Sequence, residues 1–210
     1  MDATNAIFYI AILVMSIVIH EVSHGFMAEY FGDKTARYAG RLTLNPIMHV
    51  DIFGSILIPA VLVISNAPFL FGWAKPVPYN PNNLSNKKWG TIAVASAGVL
   101  SNFAIALIFG LLIRIAPGFI GSQDIAQSFY AITTIIVIIN IALGLFNLIP
   151  IPPLDGSKIL FSLLPASAYR FISIYEQYSF FLLLIFIVFL SDLLFPIMGA
   201  LFHLFTGLAI

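Results

Sequence analysis

The stretch Ile17-Val18-Ile19-His20-Glu21-Val22-Ser23-His24-Gly25-Phe26-Met27-Ala28 decides how this chain is read. It continues an almost wholly apolar run that begins at Ile7, and it places the polar side chains of His20, Glu21, Ser23 and His24 in the middle of that run. Successive helical residues turn by about 100°, so positions four apart lie within roughly 40° of each other on one face. His20 and His24 can therefore reach one metal ion, with Glu21 beside them to handle protons. An ionised group near mid-bilayer costs about 2.5–3.5 kcal/mol on insertion scales, and a bound zinc ion is the natural offset.

The composition fixes the environment. Of 210 residues, 60% are hydrophobic and only 9% charged, and the mean hydropathy is +1.03. Soluble domains carry about 25% charged residues, so the chain reads as an integral membrane protein. A formal net charge of zero, with no basic cluster, argues against nucleic acid as a partner. The chain contains no cysteine, which rules out disulfides and thiolate ligands, so imidazole and carboxylate must hold any metal. Two imidazoles and a carboxylate suit zinc, a redox-silent ion that accepts tetrahedral ligands, better than iron or copper. The N-terminus lacks the basic region of a signal peptide, and the first apolar segment carries the histidine pair, so that segment is expected to be retained.

A helix needs roughly 20 apolar residues to cross a bilayer. Candidate segments fall at about 6–29, 52–71, 91–115, 128–149 and 178–209, the last interrupted by Ser191-Asp192 and Pro196. Residues 37–44 read as a short strand-like element ending at Asn45-Pro46, and residues 72–90 as a proline-rich loop. Lys34, Arg37 and Arg41 follow the first segment, while Lys75, Lys87 and Lys88 follow the second. Two basic loops on the same side require the 52–71 segment to dip and return, which Gly54 and Pro59 allow. The 30–90 region is then cytoplasmic. The N-terminus and the 116–127 loop are external, with Arg114 as the exception.

The expected fold is an all-α integral membrane bundle of about four to six membrane segments. It has a small membrane-associated β element after the first helix and a candidate re-entrant segment. A single domain is expected over 1–210, with its core at about 6–160 and C-terminal membrane segments at about 178–209.

Catalytic zinc usually takes three protein ligands, and the remaining candidates are Glu29, His49, Asp51, Asp155, Asp192 and His203. Glu29 lies five positions past His24, about 140° around the helix. His49 and Asp51 read as interfacial polar residues, and His203 as a bundle histidine. Asp155 stands apart by its setting, Asn147-Leu148-Ile149-Pro150-Ile151-Pro152-Pro153-Leu154-Asp155-Gly156. The prolines remove amide donors and break the preceding helix, and broken backbone at membrane depth survives where it lines a polar cavity.

Together, His20-Glu21-x-x-His24 and Asn147-x-x-Pro150-x-x-x-Leu154-Asp155-Gly156 closely resemble the site-2 proteases, zinc enzymes that cut within the membrane. Ala97-Gly98-Val99-Leu100-Ser101-Asn102-Phe103 looks like the family's glycine-containing motif, although Val99 stands where proline is common. Gly40-Arg41-Leu42-Thr43-Leu44-Asn45-Pro46 and Gly72-Trp73-Ala74-Lys75-Pro76-Val77-Pro78 resemble a compact prokaryotic branch, without PDZ or nucleotide-sensing domains. The resemblance covers roughly residues 6–160. It implies Asp155 as third zinc ligand, one zinc per chain, and Asn147 and Asn102 as polar groups near the scissile peptide. Glu21 would then take a proton from the attacking water and pass it to the leaving amine.

The implied partners are a transmembrane protein or peptide substrate and the lipid bilayer, with the oligomeric state left open. The implied location is a prokaryotic cell membrane, with the site open towards the cytoplasm. An unwound substrate needs an edge to pair with, and residues 36–44 or the 52–71 dip could supply one. The rival readings are a non-catalytic membrane protein that binds or carries metal, and a scaffold whose polar residues only pair helices.

Overall fold

The computed structural model describes residues 3–65, 72–116 and 123–208. The chain opens with α1 (Ala3–Tyr30), followed by α2 (Thr35–Tyr38), a 3-10 turn at Pro46–His49 and a π-helical turn at Ile52–Leu57 that runs into α3 (Ile58–Ile64). After the extended residues 72–80 come a 3-10 turn at Pro81–Asn83, α4 (Lys87–Ile115) and α5 (Gln123–Asn147). The chain continues through α6 (Asp155–Leu163), α7 (Tyr169–Gln177), α8 (Ser179–Ile185) and α9 (Leu194–Thr206).

Among the described residues, four helical stretches are long and apolar enough to cross a membrane: Ile7–Tyr30, Lys87–Ile115, Gln123–Asn147 and Ser179–Thr206. They make the chain an integral membrane protein. The last span is one helical path from α8 to α9 through a π turn at Phe186–Leu190 and a 3-10 turn at Ser191–Leu193. Its irregular middle therefore begins upstream of Ser191 and Pro196, the breakers marked in the sequence.

α4 is the central post. It packs against α1, α5, α6 and α9, and its buried positions are rich in small residues, including Gly90, Ala95, Ala97, Gly98, Ala106 and Gly110. Lipid offers no hydrophobic drive between helices, so close backbone approach supplies the packing energy. At Gly110 an added Cβ would stand 2.8 Å from the Phe205 Cβ of α9. The Asn86 side chain caps α4 by accepting from the Trp89 amide at 3.0 Å, and Gly207 ends α9 in a left-handed conformation, φ 78°. Ala106 and Ile113 of α4, Val137 and Ile141 of α5 and Phe202 of α9 form one buried cluster, while Leu100, Ile108 and Phe189 face outward.

The β element expected after the first helix is not formed: among the described residues there is no strand. The groups a ladder would use are spent locally. Gly40 takes a left-handed φ of 65°, and the Arg41 amide closes a turn on the Ala36 carbonyl at 2.9 Å. His49 Nε2 donates to the Thr43 carbonyl at 2.9 Å. Leu42, which an alternating pattern would put on a sheet face, instead lies against Gly25 of α1.

Of the 52–71 segment, residues 66–71 lie outside the described residues. From Ile52 to Ile64 the helical rise is about 20 Å, short of a roughly 30 Å hydrocarbon core. The chain on either side meets itself: the Trp73 amide donates to the Gly54 carbonyl at 3.1 Å, and the Ser55 hydroxyl donates to the Trp73 carbonyl at 2.8 Å. The two described flanks of the segment, Gly54–Ser55 and Trp73, are thus hydrogen-bonded to each other. Of the 116–127 loop read as external, residues 117–122 likewise lie outside the described residues, and 123–127 belong to the start of α5.

Candidate metal centre

α1 supplies His20 and His24 one helical turn apart, and both side chains are buried. Asp155 arrives from a distant part of the chain. The prolines after α5 stop that helix, the chain turns through residues 148–154, and α6 starts with Asp155 as its first residue. Gly156 allows this approach, because a Cβ there would stand 2.2 Å from the Leu148 carbonyl oxygen.

The three donor atoms form a nearly equilateral triangle. His20 Nε2 and His24 Nε2 are 3.0 Å apart, and Asp155 Oδ2 is 3.1 Å from the first and 3.0 Å from the second. A tetrahedral ion with bonds of about 2.0–2.1 Å sets neighbouring donors roughly 3.3 Å apart, so the triangle is close to the size zinc requires.

Protonation makes the same point. His20 Nδ1 lies 2.6 Å from Asn102 Oδ1, and His24 Nδ1 lies 2.6 Å from the Val94 carbonyl. Both partners only accept, so each ring carries its proton on Nδ1 and turns a bare Nε2 lone pair toward the other ring and the carboxylate. Three lone-pair donors 3.0–3.1 Å apart repel one another unless a cation lies among them. The donor set fits zinc. Gly98 of α4 makes the space: a Cβ there would stand 2.6 Å from His24 Cε1 and Nε2 and 2.7 Å from His20 Cε1.

Outer contacts hold each ligand. Asn102 is fully buried and donates to Asn140 Oδ1 at 2.9 Å, and Asn140 donates to the Ser16 hydroxyl at 2.9 Å. The Lys158 ammonium donates to Asp155 Oδ1 at 2.9 Å, leaving Oδ2 to face the rings. Such outer partners orient ligands and tune metal affinity. Lys158, Asn140 and Ser16 were not among the residues singled out from the sequence. An i,i+3 Asp–Lys pair at the start of α6, and a lone amide between Ile139 and Ile141, were the available signals.

Glu21 is half-buried beside the rings, with a carboxylate oxygen within 4.8 Å of donor atoms of both histidines. Its Oε2 accepts from the Val77 amide at 2.9 Å. Asn147 is the last residue of α5, and its amide donates to the Leu143 carbonyl of its own helix at 3.0 Å. The other sequence candidates have separate duties. Glu29 pairs with Arg37, Asp51 accepts from the Gly54 amide at 2.7 Å, Asp192 sits in the 3-10 turn before α9, and His203 Nδ1 lies 3.2 Å from the Leu208 carbonyl.

A helical H-E-x-x-H pair is joined by a carboxylate from another helix within an apolar bundle, a donor set of the zinc class. The model of peptidase family M50 matches residues 112–191, a stretch that includes Asn147 and Asp155. YwhC of Bacillus subtilis (strain 168), provisionally named a zinc metalloprotease, is 38% identical over 84% of this chain and 78% of its own length. Rip2 of Mycolicibacterium smegmatis (strain ATCC 700084 / mc(2)155), with the same provisional name, is 26% identical over 87% of this chain and 67% of its own. Zinc metalloprotease MJ0392 of Methanocaldococcus jannaschii is 26% identical over 76% of this chain, which spans only 36% of that longer protein. This chain belongs to peptidase family M50, the site-2 proteases. No solved structure matches it.

Proposed function

We propose that the protein is a zinc-dependent intramembrane endopeptidase that hydrolyses peptide bonds of transmembrane substrates. The observation that carries this reading is the triangle of His20 Nε2, His24 Nε2 and Asp155 Oδ2 with Glu21 beside it, inside the apolar bundle. When bound, one zinc per chain would supply Lewis acidity that lowers the pKa of a water into the neutral range.

His20, His24 and Asp155 would hold the ion, and the buried bundle around them would keep bulk water from competing with the reaction. Glu21 is the general base. It takes the proton of the attacking water and returns it to the departing amine, a role that contributes about 10²–10⁴-fold where it has been measured. It is the one carboxylate beside the rings that is not itself within 3.1 Å of both Nε2 atoms. Asn147, the last residue of α5, can swing its amide from its own helix towards a developing oxyanion. Asn102 serves through His20, whose tautomer it fixes.

The substrate side of the site is read as open to the cytoplasm, next to the extended 72–80 segment and the basic residues Lys34, Arg37 and Lys75. The membrane is a prokaryotic cell membrane on this reading, with the bilayer and a single-span substrate as partners.

The test uses fluorescence-quenched single-span peptides in vesicles with wild-type protein and Glu21→Gln. Cleavage by wild type, with none by a Glu21→Gln variant that retains zinc, is the expected result. Equal cleavage by both would remove the general base and reject the assignment. A metal carrier, by contrast, would tolerate Glu21→Gln without loss of transport.

A further inference from the structure

Residues 73–80 run as an extended strap along the C-terminal part of α1, fastened at several positions. The Trp73 amide donates to the Gly54 carbonyl at 3.1 Å and the Lys75 amide to the His49 carbonyl at 2.8 Å. The Lys75 carbonyl accepts from Arg41 at 2.8 Å, and the Asn80 amide donates to Asp33 Oδ2 at 2.6 Å. Between these anchors the Val77 amide donates to Glu21 Oε2 at 2.9 Å.

Pro76 and Pro78 flank that amide. Each has φ fixed near −65°, and each holds the residue before it in an extended conformation, so the direction of the Val77 N–H is set before it meets the glutamate. Neither proline has an amide to offer, which leaves Val77 as the donor in this tripeptide.

The strap is also keyed into α1. Val77 is buried, and a Cβ added to Gly25, the residue after His24, would stand 2.9 Å from Val77 Cγ1 and 2.5 Å from Leu42 Cδ2. A second notch holds the start of the strap, where a Cβ at Gly54 would stand 2.4 Å from the Trp73 indole. The notch at Gly25 thus lets the strap lie close enough to α1 for a backbone amide to reach the glutamate, and the notch at Gly54 seats its start against the π turn.

We infer that the 73–80 strap is a positioning device for the general base: the Val77 amide fixes Glu21 Oε2 and leaves Oε1 to address the water, and Gly25 is the notch that brings the amide within reach. Among the described residues no donor occupies Oε1. A glutamate with free rotamers would spend part of its time pointing away from the reacting water, whereas one held by a pre-set amide enters each turnover already oriented. The inference rests on the peptidase reading above, and Val77 acts through Glu21 rather than on the substrate.

The experiment replaces the residue 77 amide with an ester, by incorporating the α-hydroxy analogue of valine into the full chain, so that only the N–H is lost. Zinc content, KM and kcat are measured on a quenched peptide that wild type cleaves. The expected result is full zinc, KM within about twofold and kcat reduced by about tenfold or more, a part of the general-base contribution. Gly25→Ala should lower kcat in the same way, and adding Leu42→Ala, which removes the nearest obstructing atom, should restore part of it. In 15N-valine-labelled protein the Val77 amide should exchange slowly, and faster when Glu21 is replaced by Ala.

Wild-type kcat in the ester variant would overturn the inference, as would equally fast Val77 exchange with and without the Glu21 carboxylate. Should Glu21→Gln itself cleave normally, the general-base reading fails. An inactive Glu21→Gln beside a fully active ester variant rejects the strap alone.

Discussion

Gly98 lies so close beneath His24 that a methyl group at its Cα would stand 2.6 Å from the ring carbon Cε1 and from Nε2. The glycine of α4 is therefore a hole cut to the shape of the metal site, and the motif around it has a steric explanation. Gly98→Ala should displace both imidazoles and abolish stoichiometric zinc while the helices still form. Metal analysis of purified protein, with far-ultraviolet circular dichroism as the folding control, checks it. Retention of one zinc per chain would show that the rings have room to spare.

Lys158 holds Asp155 Oδ1 and so presents Oδ2 to the rings. Lys158→Met keeps the length of the side chain and removes the donor. Zinc affinity should fall by about 10–100-fold, the usual effect of losing an outer-shell partner, and chelator competition measures it.

The chain of contacts from Ser16 through Asn140 and Asn102 to His20 lies in the middle of the bundle. Asn140→Leu leaves the Asn102 amide without that acceptor. That buried amide then keeps only a long contact to the Ser16 carbonyl at 3.5 Å, which should cost about 1–3 kcal/mol in stability, seen as a lower midpoint of unfolding in detergent. Asn102→Leu should in addition weaken zinc binding, because the His20 ring loses the acceptor that fixes its tautomer.

Asp33 joins the end of α1 to the strap. It is buried and accepts from the Thr35 amide and hydroxyl, the Asn80 amide and the Asn83 side chain. Burial alone would raise its pKa, but these hydrogen bonds outweigh it and hold the carboxyl below the usual range. A depressed folded-state pKa gives stability that is present above about pH 4 and is lost as pH falls through the folded value. Asp33→Ala should therefore be less stable than wild type at pH 7, with the gap closing below pH 4. Melting curves between pH 7 and 3 test this, and a gap that widens on acidification would contradict it.

The sequence carries the helical parts of this architecture openly, because each spanning segment is a local property of hydropathy and length. The His20–His24 pairing is equally local, since one turn of helix brings the two rings together. Asp155 could be marked from its prolines and glycine, but its approach to rings 131 and 135 positions away depends on α4 packing against both α1 and α6.

The misread strand at 37–44 shows a different limit. Alternation of Leu42 and Leu44 with polar neighbours looks like a sheet face, yet Leu42 was fitted to a notch at Gly25 and the backbone to turns. The roles of Val77 and Lys158 were hidden for a related reason. A backbone amide has no residue type to betray it, and a lysine near a predicted membrane boundary reads as a topology signal before it reads as a partner of a carboxylate.

The most direct measurement is the zinc-to-protein ratio of wild-type protein and Asp155→Ala, purified without chelators and then challenged with a weak one. One zinc per chain in wild type, with loss from Asp155→Ala, is the predicted result. Equal zinc in both, or none in wild type, would contradict a centre built from His20, His24 and Asp155.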